Sequence, residues 1–98
     1  NQIVIGDSAI GLGSNSVVLG NDSIVTTALK GNVLIGTTTT VASSKLTVES
    51  TTQGFLPPRM TNAQRLAIAS PAVGLCVYCT DATEGLYINK STGWTFII

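Results

Sequence analysis

Residues 3–23 read IVIGDSA, IGLGSNS and VVLGNDS, which are three units of seven residues in register. Apolar residues occupy the first and third positions of each unit, and the fourth is Gly6, Gly13 or Gly20. A coiled coil needs apolar residues at the first and fourth positions, and glycine inside a helix costs about 1 kcal/mol relative to alanine. The pattern instead predicts short β-strands, each followed by a tight corner where glycine supplies a positive φ.

Strands of this length cannot enclose a core within one chain. Three residues span about 10 Å along a strand, and stacked units of this kind form a β-solenoid. The missing core must come from other chains, so we expect residues 1–36 to form a repetitive β shaft shared between chains. Its predicted core consists of the apolar residues at the first and third positions, which are Ile3, Ile5, Ile10, Leu12, Val17 and Leu19.

The charge composition agrees with hidden intermolecular surface and excludes two classes of partner. Residues 1–44 carry only Asp7, Asp22 and Lys30 as charges, too few to solvate an ordinary monomer. Over the 98 residues, five Lys or Arg balance five Asp or Glu, so no basic field attracts nucleic acid. No apolar run reaches the roughly 18 residues of a membrane helix. We therefore expect neither a nucleic-acid partner nor membrane insertion.

A composition change divides the rest of the chain into a linker and a second module. Residues 37–53 are predicted to form a polar linker and a connecting strand, in which Leu46 and Val48 share one half-buried face. Residues 54–98 contain all the aromatic residues and are predicted to form a small knob. Pro57 and Pro58 require an extended chain at its start.

The knob is predicted to contain one short helix and a meander. Thr61 and Gln64 fit a capping box, in which each side chain bonds a free backbone donor of the other residue. A helix over residues 64–69 should follow and end before Pro71. Turn residues separate the three strands of the predicted meander, at residues 75–80, 86–89 and 94–98. The sequence thus predicts a mainly β chain ending in a small α+β module.

Two stretches carry resemblances to known families. Residues 16–23, SVVLGNDS, look like the head repeats of trimeric autotransporter adhesins and of related bacteriophage fibre shafts. A second pattern resembles a module of phage tail fibres and of surface proteins in Bacteroidetes. It consists of GFLPPRMT at 54–61, AQR at 63–65, Pro71, GL at 74–75, VY at 77–78, GLY at 85–87 and Trp94.

These resemblances imply a homotrimeric tail fibre of the Bacteroidetes-phage type, with a β-roll or intertwined β-prism as its shaft. The implied function is structural and receptor-binding, giving reach and attachment to a bacterial host surface. The implied partners are other virion tail proteins and a host glycan or protein, and the implied location is the virion. A bacterial cell-surface or secreted trimeric adhesin, or a non-catalytic part of a tailspike depolymerase, remains the alternative. No enzymatic activity is expected of these residues.

Cys76 and Cys79 form a C-x-x-C pair that could indicate zinc or redox chemistry. Residues three apart in a strand point to opposite faces, so the two thiols cannot converge on one ion. The chain has no histidine and no second cysteine pair. Buried free thiols are therefore expected, and a cluster of one cysteine per chain on a threefold axis is the alternative.

Two groups of polar residues also receive structural interpretations. Asp81 and Glu84 flank a predicted turn, and a solvated turn is favoured over a hydrolase pair because glycosidic acids need a cleft. Asp7, Ser14 and Asn21 occupy equivalent corner positions and are predicted to form a hydrogen-bonded ladder rather than a cation site. No catalytic, metal or cofactor site is expected.

Three aromatic residues are the candidates for surface recognition. Tyr78, Tyr87 and Trp94 have side chains of the kind that stack on sugar rings. A small meander also needs aromatic residues for its core, so packing is the favoured interpretation of Trp94. Tyr87 alternates with Leu86 and Ile88, and we predict that it faces solvent and is the best candidate for an exposed contact.

Overall fold

The computed structural model describes residues 1–81 and 83–98 and is mainly β, as expected, with one short helix. The chain divides into two compact units, Asn1–Glu49 and Ser50–Ile98. The first unit contains two separate pairs of parallel strands, and the second contains a four-stranded sheet and the helix. The predicted three-way division at residues 36 and 53 stays a prediction.

Strands β1 (Gln2–Ile5) and β2 (Ser16–Leu19) pair in parallel, with Ile3 opposite Val17. The partners are therefore 14 residues apart, and the expected stacking of adjacent seven-residue units is wrong. The intervening unit forms no strand and lies close to β1 at Gly11. A Cβ atom on Gly11 would overlap the side-chain amide oxygen of Gln2 and lie 3.1 Å from Cγ2 of Val4, so the missing side chain lets the backbone approach closely. The strand pairing here therefore skips one seven-residue unit.

The corners follow the sequence prediction. Gly6, Gly13 and Gly20 have φ angles of 131°, 107° and 90°. A Cβ atom on Gly6 would lie 3.0 Å from Cα of Gly20, so neither space nor backbone conformation suits another residue there. The Asn21 Nδ2 donates to the carbonyl oxygen of Asp7 at 2.5 Å. The predicted corner ladder therefore joins units two apart, and Ser14 belongs to the intervening unit.

Strands β3 (Val33–Ile35) and β4 (Leu46–Val48) form the second parallel pair. The predicted connecting strand thus belongs to the first unit, where it pairs with the last strand of the predicted shaft. Its faces are not as expected. Leu46 and Val48 are exposed, and Thr47 between them is half-buried and hydrogen-bonded to Ser44 at 2.9 Å. The predicted apolar face is therefore uncovered within one chain.

The second unit is built on a four-stranded sheet whose strands lie side by side in chain order: β5 (Arg59–Met60), β6 (Cys76–Cys79), β7 (Gly85–Lys90) and β8 (Gly93–Phe96). The three strands of the predicted meander are present and antiparallel, and a short strand β5 joins β6 in parallel. Pro57 and Pro58 deliver this strand in extended form, and the Pro58 carbonyl accepts from the Tyr78 N–H at 2.9 Å. Ala82, within the turn predicted between β6 and β7, lies outside the described residues.

Helix α1 (Asn62–Leu66) begins at the predicted capping box. The Gln64 N–H donates to Oγ1 of Thr61 at 3.2 Å, and the Thr61 N–H donates to Oε1 of Gln64 at 2.8 Å. The helix ends three residues before the predicted end. The Ile68 N–H closes a tighter turn onto the Arg65 carbonyl at 3.2 Å, and the left-handed φ of 47° at Ser70 takes the chain out of helical conformation.

The core of the second unit lies between the helix and one face of the sheet. Its buried apolar side chains are Val77, Cys79 and Tyr87, with Met60, Ile68 and Trp94 packed around them. Gly85 is buried at the edge of this core with a φ of 150°, and a Cβ atom there would overlap the carbonyl oxygen of Ile98. Glycine at this position therefore allows residues 97–98 to continue the backbone pairing alongside β7, through the Leu86 N–H and carbonyl.

Candidate functional site

The six residues predicted to form an intermolecular core are all exposed in the single chain. Their exposed fractions run from 55% for Ile3 to 84% for Leu12. Burial of an apolar side chain is worth about 1.5–3 kcal/mol, so a single chain forgoes most of this stabilisation here. Their burial between chains stays a prediction.

These residues do not share one surface. The position of Gly11 over Val4 places the middle of the intervening unit against the inner face of the β1–β2 pair. Because side chains alternate along a strand, Ile3 and Ile5 point to the opposite, outer face. Ile10 and Leu12 belong to the intervening unit on the inner side, and they are 80% and 84% exposed. The first unit therefore presents apolar side chains on two sides.

Ile10 and Leu12 line an open groove of about 690 Å³, together with Leu19 and the acidic residues Asp7 and Asp22. The groove is lined by both apolar and polar residues. Among the described residues, no three histidine, cysteine or acidic side chains cluster closely enough to hold a metal ion. The arrangement therefore offers apolar contact rather than a coordination site.

Tyr87 is buried, so the prediction that it faces solvent is wrong. It is 7% exposed, its hydroxyl donates to the Thr83 carbonyl at 2.8 Å, and its ring meets Phe96 edge-on at 5.4 Å between centroids. Strand pairing places Tyr87 opposite Val77 on the face that the helix covers. The half-buried neighbours Leu86 and Ile88 lie on the other face. Sequence alternation separated the two faces correctly but did not show which one is covered.

The other two aromatic candidates differ in environment. Trp94 is half-buried and packs against the core cluster, which agrees with the packing interpretation. Tyr78 lies on the side of the sheet away from the helix, and its hydroxyl donates to Oε2 of Glu84 at 2.7 Å. This hydrogen bond to a carboxylate raises the pKa of Tyr78 above its ordinary value of 10.0. Only Tyr78 of the three remains available at the open side of the sheet.

Arg65 is the least expected member of the core. It is 6% exposed, and its guanidinium carbon lies 4.1 Å from the ring centroid of Tyr87 and 5.2 Å from that of Trp94. Nε donates to Sγ of Cys79 at 3.2 Å, and Nη2 donates to Oδ1 of Asn62 at 2.5 Å. The buried cation is held by aromatic faces and neutral acceptors. The sequence gives no sign of this burial, because charged side chains are mostly exposed and apolar ones more often buried. Here the order is reversed, since the adjacent Leu66 is 61% exposed.

A comparison with known protein families identifies the family of this chain. Residues 34–98, about two thirds of the chain, match the model described as the phage tail like trimerisation region. The chain belongs to this family. No curated protein and no solved structure gives a match. The matched residues of the chain begin within β3 and include all four strands of the second unit's sheet.

The two cysteines of the trimerisation region lie on opposite faces of β6, as their spacing predicts. Both are free, and Cys79 is fully buried beside Arg65. Cys76 is exposed, so the expectation that both thiols are buried is wrong for it. Cys76 shares its face with Tyr78 because alternate residues of a strand point the same way.

Polar side chains fix the loops of the trimerisation region to its sheet. Asp81 is exposed and accepts from the Asn62 N–H at 2.6 Å, joining the turn after β6 to the start of the helix. Asn89 is buried and donates to the carbonyls of Pro71 at 2.9 Å and Ala72 at 3.1 Å. Asp81 and Glu84 thus have structural contacts, and sequence reasoning missed the role of Asn89. No helix of the described residues is both long and apolar enough to cross a membrane.

Proposed function

We propose that this chain is a structural segment of a homotrimeric phage tail fibre. The observation that carries the proposal is the match of residues 34–98 to a phage tail like trimerisation region. The large apolar exposure of the first unit supports it, since association would bury side chains that one chain leaves in water. On this proposal the chain acts in the virion tail, beside other tail proteins, and does no catalysis.

The proposed shaft is a trimeric β-roll or β-prism over residues 1–36. Support comes from the parallel pairing of β1 and β2, because an offset of 14 residues is the geometry of a coil stacking on itself. The two-sided apolar surface also suits this arrangement. In a closed trimer each chain contacts both of its neighbours, and the two contacting surfaces of one chain differ. Ile3 and Ile5 would serve one contact, and Ile10 and Leu12 the other.

Attachment to a host surface is a second proposed function of the same fibre. The knob would present the recognition surface. Of the three predicted aromatic residues only Tyr78 lies on the side of the sheet away from the helix, so it can bind a host surface only where that side stays uncovered in the trimer. Its support is the position of Tyr78 on the side of the sheet away from the helix. Binding to a glycan array should weaken in Tyr78→Ala and stay unchanged in Tyr78→Phe if ring stacking carries the contact. Equal binding by the alanine variant would remove Tyr78 from this role.

The homotrimer is tested by the mass of the 98-residue chain in solution. Sedimentation equilibrium should give three times the chain mass over a range of concentrations. The same samples should show a cooperative unfolding transition whose midpoint rises with concentration, because assembly stabilises only the folded chain. A compact, stable monomer with a concentration-independent midpoint would contradict the proposal.

A further inference from the structure

Among the described residues of the second unit, the helix packs on one face of the four-stranded sheet, and no helix or strand covers the other face. Val77, Tyr87 and the other buried residues point toward the helix, and the alternate residues point the opposite way. We call this second side the open face. Its centre is formed by Cys76, Tyr78, Leu86, Ile88 and Thr95, which strand pairing places side by side.

The open face has the composition of a protein interface. Its centre carries no charged side chain, and Leu86, Ile88 and Thr95 are only half-buried in the single chain. Charged residues lie around this centre. Arg59 of β5 is the strand partner of Tyr78, and Lys90, the last residue of β7, is on the same face as Ile88 because it lies two residues further along the strand. Glu84 completes the edge through its hydrogen bond with Tyr78. An apolar centre with a polar rim is typical of surfaces that associate.

We propose that the open face is the surface by which the second unit contacts the other two copies of this chain. The inference rests on the proposed homotrimer and states which part of the knob forms it. A second copy is the occupant because all the residues of the open face lie within the matched trimerisation region. The centre of the opposite face is already covered by Met60, Ile68 and the Arg65 side chain of the helix.

The rim charges agree with association between identical copies. Arg59 and Lys90 provide positive charge and Glu84 provides negative charge, so the open face carries both signs around its apolar centre. Identical copies can then approach without a uniform field of one sign opposing them. Around a threefold axis, side chains near the axis meet their own copies, and apolar residues such as Leu86 and Ile88 suit that position.

Cys76 makes the proposal measurable without a foreign label. It is exposed in the single chain and lies on the open face, whereas Cys79 is fully buried. Association through the open face would therefore protect the Cys76 thiol from a reagent in water, since thiol reactivity depends on access. The surface residue Ser91, in the turn before β8, provides an exposed site at which to place a control thiol.

The first experiment measures the rate at which dithiobis(nitrobenzoate) modifies the assembled chain, relative to the rate in guanidinium. In the trimer, Cys76 should react at least about tenfold more slowly than the thiol of a Cys76→Ser, Ser91→Cys variant. If the trimer forms and Cys76 reacts as fast as the control thiol, the proposed role of the open face is overturned and the homotrimer is retained. If the chain is monomeric, both the homotrimer and the proposed role of the open face are overturned.

The second experiment changes the open face itself and compares it with an exposed apolar site elsewhere in the unit. Ile88→Asp should lower the trimer association constant by at least about a hundredfold, because it places a charge in an apolar contact. Val73→Asp alters a loop residue that is 71% exposed and should leave the trimer intact. Near-ultraviolet circular dichroism of Trp94 reports whether Ile88→Asp still folds.

The proposal requires both results, thiol protection and selective dissociation. A folded Ile88→Asp chain that sediments as a trimer overturns it. If that variant is unfolded, the protection of Cys76 in the unaltered chain decides, since that measurement changes no residue of the open face. Capture of a glycan by a trimer whose Cys76 stays reactive would assign the open face to host binding instead and overturn the proposal.

Discussion

In Asn1–Glu49, all of which the structure describes, no residue is buried, whereas Ser50–Ile98 buries a compact group around Tyr87 and Arg65. The first unit has strands of three or four residues in isolated pairs, and the second has four strands in one sheet. Both contain many apolar residues, so apolar content alone does not explain the difference in burial. The difference is that the second unit brings a helix against its sheet, and the first has no second layer within its own chain.

This contrast indicates two sources of order in one chain. The knob has a core of its own, although three buried apolar side chains make a small one. In the proposed trimer, the first unit would gain burial through association. Stability in the second unit should therefore depend on residues inside the chain, and stability in the first on contacts between chains.

The most severe test of the contrast is Leu12→Asp. A charge at this exposed apolar position costs little in one chain but several kcal/mol per chain once other copies cover it. In the assembled protein we expect amide protons of β1 and β2 to lose their protection from hydrogen exchange, while those of β6 to β8 keep theirs.

The control for that substitution is Asn15→Asp, which adds the same charge at an exposed corner of the same unit. It should leave exchange in β1 and β2 within about threefold of the unaltered protein, as exposed substitutions usually change stability by no more than about 0.5 kcal/mol. Unchanged protection in Leu12→Asp would show that Leu12 faces water in the fibre.

Tyr87→Ala should have the largest effect within the knob. Removing a buried aromatic side chain costs about 3–5 kcal/mol through lost burial and the cavity left behind. Urea unfolding followed by Trp94 fluorescence, at fixed chain concentration, measures the loss. Phe55→Ala is the matched control, since Phe55 is 72% exposed in the single chain. Comparable losses in the two variants would mean that Phe55 is covered in the trimer.

Arg65→Ala tests whether the buried cation is part of the core. We expect a loss of about 2–3 kcal/mol, because the guanidinium stacks on Tyr87 and donates two hydrogen bonds from a buried position. The same urea measurement applies. Arg59→Ala removes an exposed arginine from β5 and should cost less than about 0.5 kcal/mol. An equal, small effect of both would place the Arg65 side chain outside the core.

The smallest effect should be a pH dependence from Tyr78. Its pKa is raised by the hydrogen bond to Glu84, so the folded chain holds this proton to higher pH than the unfolded chain. The contribution is therefore complete below pH 10.0 and is lost as the pH rises through the folded-state pKa. Absorbance at the tyrosinate band should show Tyr78 titrating at lower pH in Glu84→Gln. An unchanged titration curve would show that the hydrogen bond does not form.

Several local features could be predicted because neighbouring residues determine them. The capping box at Thr61 and Gln64 depends on residues three apart. The positive φ angles at the repeated glycines follow from tight corners, and the strands of the meander follow from alternation between turn residues. The opposite orientations of Cys76 and Cys79 need only the twofold period of a strand.

Other features could not be predicted because they depend on segments distant in sequence. The pairing of β1 with β2 skips the intervening unit, whose Gly11 lies against β1, and no seven-residue pattern reveals this. The match to the family adds trimerisation, but it does not identify the residues that carry it. The resemblance of residues 16–23 to adhesin repeats lies outside the matched region and stays a resemblance.

The sequence by itself determined most of the strands, the glycine corners and the capping box, and it indicated that residues 1–36 lack a core of their own. It wrongly predicted a strand at residues 10–12 and did not predict β5. Only the tertiary structure decided that Tyr87 points inward, that Arg65 lies beneath two aromatic rings, and that Leu86 and Ile88 occupy the open face. The physical reason is that alternation creates two faces on every strand, and the helix that packs against one of them decides which face is buried.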